Sequence, residues 1–167
     1  HWFTLSSSPT EDLLGITTRF NDQGSSFKRA LLALKPGTKL TAADPMGDFV
    51  LPKNKTRELV FVAGGIGVTP YHSMVKWLSD TGEKRSIHLL YAVNDPKELA
   101  FAELFKNYGL KFDPMVSKPS KGWRGLSGKL SGKKILDITG PINDRLLYIS
   151  GPEPMVETLE KDLVLLG

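Results

Sequence analysis

Cysteine is absent from all 167 residues, so no disulfide, thiolate-held iron–sulfur cluster or catalytic thiol arises within this chain. Histidine is scarce, and His1, His72 and His88 stand too far apart to suggest a zinc site. No apolar run approaches the ~20 residues that a membrane-crossing helix requires, and the opening has no signal-peptide pattern. Low-complexity tracts and internal repeats are also missing. Basic residues outnumber acidic ones by only 22 to 18, and no aromatic-interleaved basic platform accompanies them, which argues against nucleic acid as a partner. The chain does not begin with Met and opens inside a strand-like stretch, as a piece of a longer protein would. A composition that is 40% hydrophobic suits one ordinary domain, or one plus part of another.

The stretch that organises the chain is Leu59-Val60-Phe61-Val62-Ala63-Gly64-Gly65-Ile66-Gly67-Val68-Thr69-Pro70. Its apolar run predicts a parallel strand covered on both faces. Gly64, Gly65 and Gly67 then permit a tight turn and close approach of another molecule to bare backbone. Thr69 and Pro70 suit the first turn of a helix, where proline's missing N–H is not needed. Free N–H groups and the positive end of a helix dipole behind a glycine turn make a seat for phosphate, although glycine turns of this kind also occur for packing alone.

Before that stretch, Trp2–Pro9 begins as a strand and ends in a polar turn, and the pattern predicts further strands in Leu13–Phe20 and Thr38–Ala43. A turn is read at Asn21–Gly24, and a short helix capped by Ser25 or Ser26 runs to Leu34. A polar, lysine-rich linker covers Pro52–Arg57. After it, strands and helices alternate: strands at Glu58–Ala63, Ser86–Val93, Lys111–Val116 and Leu146–Ser150. The helices are read at Thr69–Asp80, Pro96–Tyr108, Lys133–Ile138 and Pro154–Leu166. Such alternation predicts a doubly wound parallel sheet behind a small all-β piece. The boundary falls between residues 1–53 and 54–167. Gly24-Ser25-Ser26-Phe27-Lys28 is a second glycine-then-helix opening, which reads either as a plain serine cap or as another phosphate seat. His72, Trp77 and Trp123 read as packing or surface residues, and the basic cluster from Lys118 to Lys134 as a solvated face.

Four ordered motifs resemble the flavin- and NAD(P)-binding core of the ferredoxin–NADP⁺ reductase family, over almost the whole chain. Phe3-Thr4-Leu5-Ser6-Ser7 resembles its Arg-x-Tyr-Ser/Thr flavin motif, with His1 in the arginine's place. Gly24 to Lys28 resembles its flavin pyrophosphate turn. Gly64 to Pro70 resembles its dinucleotide pyrophosphate loop, and Ser150-Gly151-Pro152-Glu153-Pro154-Met155 its Cys/Ser-Gly-Pro-x-x-Met segment. The resemblance implies an α/β NAD(P)-binding domain preceded by the C-terminal half of an antiparallel β-barrel flavin domain. It implies an NAD(P)H-dependent flavin oxidoreductase that passes a hydride from nicotinamide to a flavin, FAD in preference to FMN, and electrons to a separate acceptor. The alternative is a non-catalytic dinucleotide-binding module of a redox assembly.

Carried over by position, Phe3 packs on the flavin, Thr4 reaches its N5, and Leu5 and Ser6 meet the pyrimidine end through backbone groups. Gly24, Ser25, Ser26 and Lys28 hold the flavin pyrophosphate. Gly64, Gly65, Gly67, Thr69 and Pro70 form the dinucleotide seat, and Ser150, Gly151, Pro152 and Met155 line the nicotinamide pocket. Thr4 and Ser150 flank the hydride path. Ser117 and Lys118 resemble the residues that grip an NADP 2′-phosphate, whereas Asn94 stands where an arginine often does; on balance NADH is favoured over NADPH. The implied partner is a redox acceptor protein or an upstream membrane redox domain. The implied location is cytoplasmic, either free or as the cytoplasmic domain of a membrane protein. No metal and no nucleic acid are expected.

Overall fold

The structure is a computed structural model and describes residues 2–20 and 25–166. His1, Gly24 and the turn read at Asn21–Gly24 lie outside the described residues. The chain forms two compact units: His1–Thr17 with Leu51–Gly167, and Thr18–Val50. The segment up to Thr17 therefore groups with the α/β part rather than with the stretch that follows it.

The larger unit is built on β1 (Leu59–Gly64), whose six residues are all buried. Through α2 (Thr69–Thr81) the chain passes to β2 (Ile87–Val93), and through α3 (Ala102–Tyr108) to β3 (Lys111–Val116) and the short β4 (Leu126–Ser127). It then crosses back through α4 (Gly132–Thr139) to β5 (Leu146–Ser150) and ends in α5 (Glu153–Leu166). All pairings are parallel, in the order β4-β3-β2-β1-β5. Leu59, Phe61 and Ala63 face a core shared with Leu89, Tyr91 and α2, while Val60 and Val62 face Ile135 and Leu159 from α4 and α5. Burial on both sides is why β1 reads as an unbroken apolar run and β2 as one interrupted only at His88. The expected doubly wound sheet is present.

One predicted helix is broken. Pro96–Tyr108 forms a 3₁₀ turn over Pro96–Glu98, then Phe101 at φ 60°, and only then α3. The buried Tyr91 hydroxyl donates to the Glu98 carbonyl (3.2 Å) and accepts from the Ala100 amide (3.3 Å), taking groups that a continuous helix would pair internally.

The strands predicted before residue 50 do not form ladders; among the described residues they leave one isolated antiparallel bridge, Leu5↔Ile16. A strand exists only through the hydrogen bonds of a neighbour, and local preference cannot supply one. The barrel part of the expectation is thus not shown. In the smaller unit α1 (Ser26–Leu32) is capped by Ser25, stops short of Leu34, and buries none of its residues. Among the described residues no helix is long and apolar enough to cross a membrane.

His88, on β2, is nearly buried, with Nε2 2.6 Å from Asp113 Oδ2 on β3. Burial pushes its pKa below the ordinary 6.5; the Asp113 hydrogen bond opposes this, and Lys111 and Arg145 reinforce it. The unfolded chain therefore binds the proton more readily. His88 contributes stability that is complete above pH ~6.5 and is lost as pH falls through the folded-state value. Urea midpoints measured from about pH 8 down to about pH 5 should fall more steeply for the wild type than for His88→Leu. Parallel slopes would contradict this assignment.

Candidate functional site

Because β1 is central, with β2 on one side and β5 on the other, the sheet's topological switch point lies between β1 and β5. Ligands in open α/β sheets sit beyond the carboxyl ends of the strands at such a point. Ala63 pairs with Ser150, so the Gly64 turn and the Ser150–Met155 segment leave the sheet side by side. A 3₁₀ turn over Gly65–Val68 leads into α2, while α5 starts at Glu153.

Glycine is what lets the two turns meet. A Cβ on Gly67 would lie 2.5 Å from the Gly151 amide nitrogen, and one on Gly151 would lie 2.5 Å from Met155 Cε. A Cβ on Gly64 would run into the Met155 side chain and the Pro152 ring. Gly65 differs: a Cβ there would meet nothing within 4 Å, but its φ of +53° is the left-handed conformation that favours glycine. Gly64, Gly67 and Gly151 thus serve loop-on-loop packing, and Gly65 turns the backbone.

The electrostatics favour an anion at α2. Neither the 3₁₀ turn nor α2 has a side-chain cap, and neither first turn contains an acidic residue. By contrast, Ser25 caps α1, Ser131 caps α4, and α5 carries Glu153 in its first turn. The Ile66 carbonyl takes the Thr69 N–H, so what suits a phosphate-bearing ligand is the open entry of the 3₁₀ turn together with an unopposed dipole end. Thr69 and Pro70 open α2 and are buried. This cradle fits a dinucleotide pyrophosphate.

The Phe3–Ser7 segment is tied to the same helix. Ser6 donates its amide to Gly15 O (2.8 Å), and the Ser6 and Ser7 carbonyls accept from His72 Nδ1 (2.6 Å) and Ser73 Oγ (2.7 Å). The backbone groups of Ser6 assigned to a flavin by the resemblance are therefore engaged inside the chain. Thr4 is exposed, Phe3 and Leu5 half-buried. Farther along, Thr10 bonds Asp80, which also pairs with Lys76 at 2.5 Å. Sequence reasoning missed these anchors; the available signal was the polar stripe His72, Lys76, Asp80 at four-residue spacing on an amphipathic helix.

At the ends of β2 and β3, Ser117 Oγ donates to Asn94 Oδ1 (2.8 Å), and the Lys118 amide donates to the Asn94 carbonyl (3.0 Å). The carboxylate of Glu98 accepts from the Asn94 amide (3.3 Å). The residues on which the choice between NAD and NADP turned are thus neighbours. Trp77 and Trp123 pack on the core, Trp123 also donating to the Leu126 carbonyl. In the smaller unit, Ser25 Oγ accepts from the Lys28 amide, and Lys28 Nζ donates to the Arg19 carbonyl. Among the described residues no cluster of three metal-ligating side chains occurs. A depression of about 600 Å³ lined by Arg57, Glu58, Asp144 and Arg145 lies before β1 and β5, at the opposite end of the sheet from these motifs.

The chain is similar to several known proteins. NADH oxidoreductase HCR of Escherichia coli is 26% identical over 99% of this chain and 50% of its own length. The anthranilate 1,2-dioxygenase electron transfer component of Acinetobacter baylyi is 32% identical over 74% of this chain and 37% of its own. The chain therefore spans about half or less of these relatives. In fold it is similar to the cytochrome b5 reductase domain of Ulva prolifera nitrate reductase, with TM-score 0.80 and 21% identity over 99% of this chain and 72% of that one. The family model described as the oxidoreductase NAD-binding domain matches residues 61–161. The chain belongs to that family, the NAD-binding domain of ferredoxin reductase-like oxidoreductases.

Proposed function

We propose that this chain is the NAD(P)H-binding part, with the adjoining C-terminal half of a flavin domain (residues 1–53), of a flavin-dependent oxidoreductase that serves a separate redox acceptor. The observation that carries the reading is the backbone junction of Gly64–Gly67 with Ser150–Gly151 at the switch point, in front of the uncapped start of α2. The names of the relatives, an NADH oxidoreductase and an electron transfer component, support the same activity. FAD, when bound, accepts a hydride at N5 from the nicotinamide and releases electrons to the acceptor.

The chain's own groups bind and align. The N–H groups at the start of the Gly65–Val68 turn and the Thr69 hydroxyl take the dinucleotide pyrophosphate, the Thr69 N–H being held by the Ile66 carbonyl, and Pro70 sets the helix entry. Ser150, Gly151, Pro152 and Met155 wall the nicotinamide and exclude water. The exposed Thr4 hydroxyl bonds flavin N5, with Phe3 against the ring and Leu5 beside it, while Ser6 fixes the segment. Ser25, Ser26 and Lys28 form the first turn to which the resemblance gives the flavin pyrophosphate. None of this requires a proton relay, in keeping with chemistry that transfers a hydride. The acceptor is a redox protein or domain, and the setting cytoplasmic.

Asn94, held by Ser117 and next to the Glu98 carboxylate, offers no cation for a 2′-phosphate, so NADH is the preferred donor. Lys118, with Arg124 nearby in the sequence, runs against the preference. Protein loaded with FAD should lose its visible flavin band on anaerobic addition of NADH, and more slowly with NADPH. Asn94→Arg should narrow the preference by about 10-fold. Flavin that stays oxidised with both donors would overturn the assignment.

A further inference from the structure

The start of α2 carries three anchors, one to the sheet and two to the Ser6–Ser7 segment. Tyr71, fully buried, donates its hydroxyl toward the carbonyls of Val62 on β1 and Tyr148 on β5, each 3.0 Å away. His72 and Ser73, the next two residues, hold the Ser6 and Ser7 carbonyls. A carbonyl only accepts, so His72 carries its proton on Nδ1. The ring is backed by Phe101, at 3.9 Å between centroids and 37° between planes. Phe101 is held at φ 60°, a conformation rare for a side-chain-bearing residue. The other side of the segment is fastened as well: Ser6 Oγ donates to Gly15 O at 3.1 Å, Thr17 Oγ1 donates to Ser6 Oγ at 2.9 Å, and the Gly15 amide donates to Ser7 Oγ at 2.8 Å. Ser6 is 5% exposed.

We infer that His72 and Ser73 are positioning residues for hydride transfer. They clamp the Ser6–Ser7 backbone to the helix that begins at the dinucleotide seat, and so set how far Thr4 stands from the Gly64–Ser150 junction. Thr4 is two residues from the clamp, roughly 7 Å of extended chain, too short a lever to absorb a loosened anchor. Tyr71 fastens the same helical turn to the strands on both sides of the switch point, so one rigid turn gauges both cofactor segments. Rates of transfer between two ring systems respond steeply to spacing: a shift of about 1 Å costs as much as 100-fold. The inference rests on the proposed flavin chemistry, and its test separates the two.

The test compares wild type with His72→Leu, Ser73→Ala and His72→Asn, the last keeping a donor near the Nδ1 position. Two measurements are made: stopped-flow reduction of bound FAD across NADH concentrations, and hydrogen–deuterium exchange at residues 4–8 without flavin. His72→Leu should slow the limiting rate about 10- to 100-fold while the half-saturating NADH concentration stays within about 3-fold. Exchange at 4–8 should rise and that of β1 stay unchanged. Ser73→Ala should show a smaller loss of the same kind, and His72→Asn should recover most of the rate. Faster exchange with an unchanged rate overturns the positioning role and leaves the flavin chemistry standing. Wild type that binds FAD and NADH without reduction overturns both, even with the clamp visible in exchange. A variant whose loss lies wholly in NADH affinity also refutes the inference.

Discussion

Gly67→Ala should abolish most NADH-dependent flavin reduction, by about 100-fold or more, while leaving the sheet folded. The added methyl would land 2.5 Å from the Gly151 nitrogen and against the Ser150 carbonyl. Both are backbone atoms at the end of a paired strand, so neither can swing aside as a side chain would. The turns must separate, widening the cradle where the pyrophosphate and nicotinamide meet. Overpacking of this kind costs about 1–3 kcal/mol of stability, which urea denaturation would show alongside the kinetic loss. Gly64→Ala makes a useful contrast, since most of its obstruction is the flexible Met155 side chain, and its effect should be smaller. Unaltered NADH affinity and reduction rate in Gly67→Ala would mean that the contact between turns does not shape the site.

The largest loss of stability is expected at Phe61. This side chain is fully buried, stacked on Tyr71 at 4.5 Å and 18°, and edge-on to Tyr148 at 5.4 Å and 84°. Phe61→Ala should cost about 3–5 kcal/mol through lost burial and the cavity left behind. For a chain of this size that is a fall in melting temperature on the order of 10 °C. Because Tyr71 is the residue that pins α2 to β1 and β5, dinucleotide affinity should fall further than global unfolding accounts for. Thermal melts with and without NADH would separate these effects. A loss below ~1 kcal/mol would show that the core around Tyr71 repacks freely.

Much of the α/β part was legible in the sequence because its signals are local. Lys111–Val116 and Leu146–Ser150 form strands at the expected residues, and Thr69–Asp80 extends by one residue to Thr81. Apolar runs, glycine breaks and helix periodicity each act within a few residues. The site was legible for the same reason where it consists of a turn: Gly64 to Pro70 carries its own geometry. Pro96–Tyr108 misled because a hydroxyl on β2, Tyr91, decides where that helix can begin.

What the amino-acid order determined alone was the alternation of strand and helix, the glycine turn before α2, and the absence of any thiol. Tertiary structure decided the rest: that Gly67 exists to admit Gly151, that His72 and Ser73 hold the Ser6–Ser7 backbone, and that Asn94 spends its side-chain oxygen on Ser117. It also decided that the early strand-like stretches form, among the described residues, one isolated bridge and no ladder. Each of these depends on atoms far apart along the chain meeting in space, and no local preference encodes the distance between them.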